Sequence, residues 1–245
     1  MPEMEEPQAI IKEVVFSSGD LELKGVLHLP PGPPLPPVVV GCHGLFSSGS
    51  SPKQIALAER CATQGIAYFR FDHRGCGGSG GVFREVTSLE NRRKDLLSAI
   101  AALRERGETG NGLGLFGSSL GGAVVLSVAL ESAASAVVTY AAPVTGARIV
   151  EMLQKDGGGA GHPDADPEML HFDVSAKIDG VANLLILHGD SDTVVPPSEA
   201  HRIYTRARMP KRVILLRNGD HPMSLPENQE KFVREATTWF RERLP

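Results

Sequence analysis

Pro37-Val38-Val39-Val40-Gly41-Cys42 is apolar from end to end, the pattern of a strand buried on both faces. Such a run demands cover above and below it, and the rest of the chain supplies it. Further short apolar runs occupy 66–71, 113–116, 136–141, 183–188 and 212–217. Helical spacing separates them at 53–64, 88–106, 120–130, 198–208 and 226–244. Two β-rich runs at 10–16 and 21–29, joined at Ser17-Ser18-Gly19-Asp20, predict an opening antiparallel hairpin. Strands alternating with helices predict an α/β fold with a mostly parallel, eight-stranded sheet and helices on both faces.

Within the 88–106 helix, Leu89, Leu96, Leu97, Ile100 and Leu103 share one side. The cluster Arg92-Arg93-Lys94, flanked by Glu90 and Asp95, reads as a solvated face. One stretch breaks the alternation. Residues 142–181 carry a helical piece from Ala147 to Leu153, then Gly157-Gly158-Gly159-Ala160-Gly161, then a Pro/Asp-rich segment. Too long for an ordinary connection, it is expected to form a small cap-like insertion on a single domain spanning 1–245.

The net charge of -4 argues against a nucleic-acid footprint, which needs a basic stripe. Three cysteines make no disulfide framework, and no C-x-x-C is present. The acidic start Met-Pro-Glu-Met-Glu-Glu-Pro lacks the apolar stretch of a secretory signal, and no run of about 18 apolar residues suggests a membrane span. A reduced, cytoplasmic setting is the expectation.

Gly117-Ser118-Ser119-Leu120-Gly121 is a G-x-S-x-G match placed between a predicted strand and a predicted helix. It offers Ser119 as a nucleophile. A serine hydroxyl needs a base and an acid, and ligands in such sheets lie beyond the carboxyl ends of the strands. After the 183–188 strand comes Gly189-Asp190-Ser191-Asp192. After the 212–217 strand comes Asn218-Gly219-Asp220-His221. Ser, then Asp, then His is the chain order of an α/β-hydrolase triad.

On these residues the chain resembles an α/β-hydrolase of the carboxylesterase and serine-aminopeptidase (S33-type) neighbourhood. The likeness runs from His43 to His221. His43-Gly44-Leu45 matches the oxyanion loop. Asp72-His73-Arg74-Gly75-Cys76-Gly77-Gly78-Ser79-Gly80 is similar to the family's D-x-R-G-x-G-x-S segment. His188-Gly189-Asp190-Ser191-Asp192 resembles the acid loop, and Gly219-Asp220-His221 the histidine loop. The resemblance implies Ser119 as nucleophile, His221 as base and Asp192 as the acid that orients it. Asp190 is the rival acid. It also implies the backbone N–H groups of Leu45 and Leu120 as oxyanion donors.

Phe46, Met152 and Leu153 are expected to line the substrate pocket. A small-molecule ester substrate is expected, with no cofactor and no metal. Thioesterase, aminopeptidase or amidase chemistry on the same triad stays open, as does a non-catalytic binding protein on this fold. Oligomerisation with identical copies also stays open. Three further readings are structural. His43 props the oxyanion loop, His188 packs at a strand end, and Asp72 and Arg74 pin their loop by a local ion pair. Gly112-Leu113-Gly114-Leu115-Phe116-Gly117 satisfies G-x-G-x-x-G, but a strand runs through it rather than preceding it, so no dinucleotide site is expected.

Overall fold

The computed structural model describes residues 9–32, 34–155 and 165–245. The expected hairpin opens it. Strands β1 (Ile10–Ser18) and β2 (Leu21–Leu29) pair antiparallel, and the chain reverses through Gly19 at φ +63°, where a side chain would be strained. Six more strands follow: β3 (Val38–Cys42), β4 (Ala67–Phe71), β5 (Leu113–Ser118), β6 (Ala136–Tyr140), β7 (Leu184–Gly189) and β8 (Lys211–Leu216). The order across the sheet is β1-β2-β4-β3-β5-β6-β7-β8. Pairing is antiparallel from β1 through β2 to β4 and parallel from β4 to β8. β3 and β5 are buried at every residue, as the unbroken apolar run in β3 requires.

Helices cover both faces. The longer ones are α1 (Pro52–Thr63), α3 (Leu89–Arg106), α4 (Leu120–Val128), α7 (Ser198–Arg206) and α8 (Pro226–Arg243), with the single turn α2 (Phe83–Val86) before α3. Local chemistry sets several ends. α1 begins with Pro52 in its first turn, where a missing N–H costs nothing. α3 is capped by the Ser88 hydroxyl, which accepts from the Asn91 N–H at 3.1 Å, and stops at Gly107 in the left-handed region.

The buried side of α3 differs from the expectation. Leu96, Ile100 and Leu103 face the core, while Leu89 and Leu97 are only partly covered. Arg92 and Asp95, expected on a solvated face, are fully buried at 0% exposure. Their neighbours explain this. Arg92 meets backbone carbonyls, and Asp95 meets Ser18, His73 and Arg74, so each charge has polar partners inside.

The described residues of 142–181 add no strand to the sheet. They contain α5 (Ala147–Lys155), a 3₁₀ turn at Pro167–Leu170 and α6 (Ser175–Ile178), with an antiparallel bridge from Thr145 to Asp173. The Gly157 to Gly161 tract and His162 lie outside the described residues. Ile149, Val150 and Leu170 of this segment pack with Leu45 and Leu120, so it rests over the carboxyl ends of β3 and β5.

Candidate active site

Ser119 follows the last residue of β5 and precedes the first of α4. Its backbone has φ +54° and ψ −124°, a conformation a non-glycine residue holds only when its surroundings enforce it. Enforcement is visible. The Ser119 N–H donates to Tyr140 O at 2.8 Å, and its carbonyl accepts from Gly122 N at 2.8 Å. A Cβ on Gly117 would lie 2.2 Å from Gly121 O, and one on Gly121 would lie 2.3 Å from Cys42 O. Both contacts are with backbone, so the two glycines are required for the turn to close against β3.

The other two expected residues arrive from the neighbouring strand ends. Asp192 sits in the loop after β7, buried at 5% exposure. Its Oδ1 accepts from the N–H groups of Val194 and Val195, both at 2.9 Å, which locks the carboxylate plane. Oδ2 lies 2.7 Å from His221 Nδ1, and His221 Nε2 lies 3.1 Å from Ser119 Oγ. Asp190 is exposed, with its carboxylate accepting from the Ser191 hydroxyl at 2.9 Å. It does not meet His221. Ser118 is buried within β5, and Asp220 accepts from the Ser224 N–H at 2.7 Å as a turn residue.

The His221 loop is fastened on both sides. The Tyr140 hydroxyl donates to Asp220 O at 2.5 Å, and Lys53 Nζ donates to Pro222 O at 2.8 Å. Burial lowers the Lys53 ammonium's affinity for its proton, with Asp220 opposing that shift. His188 is buried below Asp192. Its Nε2 lies 2.8 Å from Val195 O, and burial pushes its pKa down.

The 43–46 loop lies across from Ser119. An ideal Cβ on Gly44 would sit 3.4 Å from Ser119 Cβ. His43 Nδ1 lies 2.8 Å from Gly44 O, while Nε2 accepts the His73 N–H at 3.1 Å. That accepting role requires a neutral ring with its proton on Nδ1, and burial holds His43 well below the usual histidine range. Arg92 also reaches this loop, donating to His43 O at 3.3 Å and to Gly44 O and Leu45 O at 3.1 Å each. Leu120 is the first residue of α4, so its N–H has no intrahelical acceptor.

The expected Asp72–Arg74 ion pair is not what holds that loop. Asp72 accepts from the backbone N–H groups of Gly49 and Gly78 at 2.7 and 2.9 Å. Arg74 instead donates to Asp95 Oδ1 at 2.8 Å and to Ser18 Oγ at 3.0 Å. Asp95 is thereby kept ionised. Burial opposes this, and the hydrogen bonds from His73 and Arg74 outweigh it, placing its carboxyl below the usual range.

Phe46 is half-buried and Leu153 partly buried, both packed against Leu45, Leu120, Ile149, Val150 and Leu170. The Met152 side chain lies outside the described residues. Phe83, which sequence reasoning missed, adds its ring 5.9 Å from that of Phe46. Cys42, Cys61 and Cys76 are buried thiols, and burial raises the pKa of each. Among the described residues no group of His, Cys, Asp and Glu could hold a metal ion, and no helix is long and apolar enough to cross a membrane.

A mostly parallel eight-stranded sheet, with a strained strand-to-helix serine at its centre, is the α/β-hydrolase fold. Within it, residues 34–155 match the family model described as serine aminopeptidase, S33. The chain is 27% identical over 203 residues to the uncharacterized protein YfhR of Escherichia coli (strain K12), covering 82% of this chain and 69% of that one. It is 29% identical over 212 residues to the mitochondrial palmitoyl-protein thioesterase ABHD10 of Mus musculus, covering 76% and 69%. Among solved structures, Est1E of Butyrivibrio proteoclasticus, with ferulic acid bound, superposes with a TM-score of 0.77 at 19% identity, covering 94% and 98%.

Proposed function

We propose that this chain is a serine hydrolase that cleaves small to medium carboxylic esters through an acyl-enzyme, from one domain capped by residues 142–181. The observation that carries the reading is the relay from Asp192 Oδ2 through His221 to Ser119 Oγ, at 2.7 and 3.1 Å, ending on a serine in a strained turn. In this mechanism Ser119 Oγ attacks the ester carbonyl carbon while its proton passes to His221 Nε2. Asp192 stabilises the imidazolium through the Nδ1 hydrogen. The tetrahedral oxyanion is received by the N–H groups of Leu45 and Leu120. The C–O bond then breaks, and the His221 proton leaves with the alcohol. Water, deprotonated by His221, attacks the acyl carbon, and Ser119 regains its hydrogen as the acid departs.

Phe46 and Leu153, with Phe83 beside them, supply the apolar wall for the acyl group. The likeness to ABHD10 favours a second reading in which the leaving group is a thiol. Thioester and ester chemistry share every step above. A panel of p-nitrophenyl esters, acyl thioesters and aminoacyl anilides decides between them and the aminopeptidase of the family description. Ser119→Ala is expected to remove turnover by at least about 10⁴-fold while leaving the melting temperature near that of the wild type. Retained turnover would overturn the reading.

A further inference from the structure

We propose that Arg92 is a positioning residue for the oxyanion loop, its guanidinium clamping three successive carbonyls so that the loop N–H groups face the reacting carbonyl. The inference rests on the serine-hydrolase reading given above. Arg92 projects from α3 and is fully buried. A guanidinium is costly to bury, so its partners are informative. They are His43 O, Gly44 O and Leu45 O, at 3.3, 3.1 and 3.1 Å, with Cys76 Sγ at 3.5 Å. Asp95 attracts it electrostatically, but the Asp95 oxygens are engaged by Ser18, His73 and Arg74.

The consequence follows from peptide geometry. In a trans peptide the C=O and the N–H point in opposite directions. Gly44 O and the Leu45 N–H share one plane, and Leu45 O and the Phe46 N–H share the next. With both carbonyls drawn to Arg92, both N–H groups face away from it. Ser119 stands beside the same loop, an ideal Cβ on Gly44 lying 3.4 Å from Ser119 Cβ, and in the proposed arrangement it is on the side that the N–H groups face. Residues 43–46 belong to no helix or strand, so no ladder of backbone bonds fixes these planes. The planar fork of Arg, with several donors in one rigid plane, suits adjacent carbonyls in a way a lysine ammonium does not. The positive charge behind the carbonyls also polarises each peptide toward a stronger N–H donor.

The test compares wild type, Arg92→Lys, Arg92→Met and Arg74→Gln. Turnover of p-nitrophenyl butyrate is measured beside the inhibition constant of an alkyl trifluoromethyl ketone, whose adduct with Ser119 places an oxyanion at the donors. Arg92→Met is expected to lower kcat by about 10²- to 10³-fold, the loss seen when an oxyanion donor is removed. KM should move much less, and the inhibition constant should rise in parallel with the fall in kcat. Arg92→Lys is expected to lose about ten-fold in both, since the charge stays and the fork is gone. Arg74→Gln, a partly buried member of the adjoining network whose partners are Asp95 and Ser18 rather than a loop carbonyl, should lower the melting temperature and leave both readouts unchanged. If Arg92→Met does not fold, Arg92→Lys carries the same two readouts. Unchanged kcat and inhibition in the Arg92 variants, or equal losses in Arg74→Gln, would overturn the clamp. Wild-type turnover that survives Ser119→Ala would instead overturn the serine-hydrolase reading itself.

Discussion

Replacing Asp192 by Asn is a sharp test of the proposed relay because the structure dictates how the amide must sit. Asp192 Oδ1 accepts two backbone N–H bonds, from Val194 and Val195. An Asn can keep both only by placing its carbonyl oxygen there. The opposite orientation would set its NH₂ against two donors in a buried pocket, at a cost of about 1–3 kcal/mol for each unsatisfied group. So Nδ2 must face His221 Nδ1, where Oδ2 now lies at 2.7 Å. An NH₂ there can only donate. His221 Nδ1 must then accept, and the ring hydrogen moves to Nε2, the atom that faces Ser119 Oγ at 3.1 Å. A base with its accepting position already protonated cannot take the serine proton.

The wrong tautomer and the lost carboxylate charge together are expected to lower kcat by about 10⁴-fold, or about 5 kcal/mol of barrier. The fold should survive, because both backbone bonds are retained. The assay is p-nitrophenyl butyrate turnover at fixed neutral pH, with thermal melting alongside. Asp190→Asn is the paired control. Asp190 is exposed and, among the described residues, its side-chain partner is Ser191, so its effect should stay within about two-fold. The reasoning is refuted if Asp192→Asn retains kcat within about ten-fold, or if Asp190→Asn is the variant that collapses.

Gly121→Ala should destabilise the protein by about 1–3 kcal/mol and reduce turnover, because the added Cβ would lie 2.3 Å from Cys42 O and 2.6 Å from His43 O. Urea midpoints and kcat check both, and an unchanged midpoint would show that the turn can open without cost. Stability should also fall on acidification. Burial lowers His73 to a pKa of about 4, with Asp95 opposing and Arg92 adding to the shift, and burial lowers His28 to about 4, with Arg70 contributing. Both rings are neutral when folded and take up protons when unfolded below about pH 6.5. Their contribution is therefore complete above that pH and declines as pH falls toward 4, each with a slope on the order of 1.4 kcal/mol per pH unit. Asp95, held below the usual carboxylate range, adds a further loss below about pH 4. Urea melts from pH 7 to 4 test this, and a flat profile would contradict it.

Much of the fold was legible because its signals are local. The unbroken apolar run of β3 and the Ser17-Ser18-Gly19-Asp20 turn between β1 and β2 each act within a few residues. The eight strands fell where hydrophobic pattern placed them, with ends shifted by one or two residues, as at β5, which continues to Ser118. Arg92 was misread because three adjacent basic residues look solvated when taken as a block. Helical spacing held the corrective signal: 92, 96, 100 and 103 share one stripe, so Arg92 belongs with Leu96, Ile100 and Leu103. Arg74 was assigned to its chain neighbour Asp72, whereas its partner Asp95 is brought to it by α3.

What the sequence by itself determined was the alternation of strands and helices, the glycines that let the Ser119 turn close, and the order of Ser119, Asp192 and His221. These are properties of neighbouring residues, written into backbone sterics and periodicity. Only the tertiary structure decided which of two nearby aspartates meets His221, that Tyr140 and Lys53 grip the His221 loop, and that a buried guanidinium holds the carbonyls of the 43–45 loop. Those pairings join residues distant along the chain. Their energies depend on burial and on the direction of each donor, and both exist only once the sheet has brought its strand ends together.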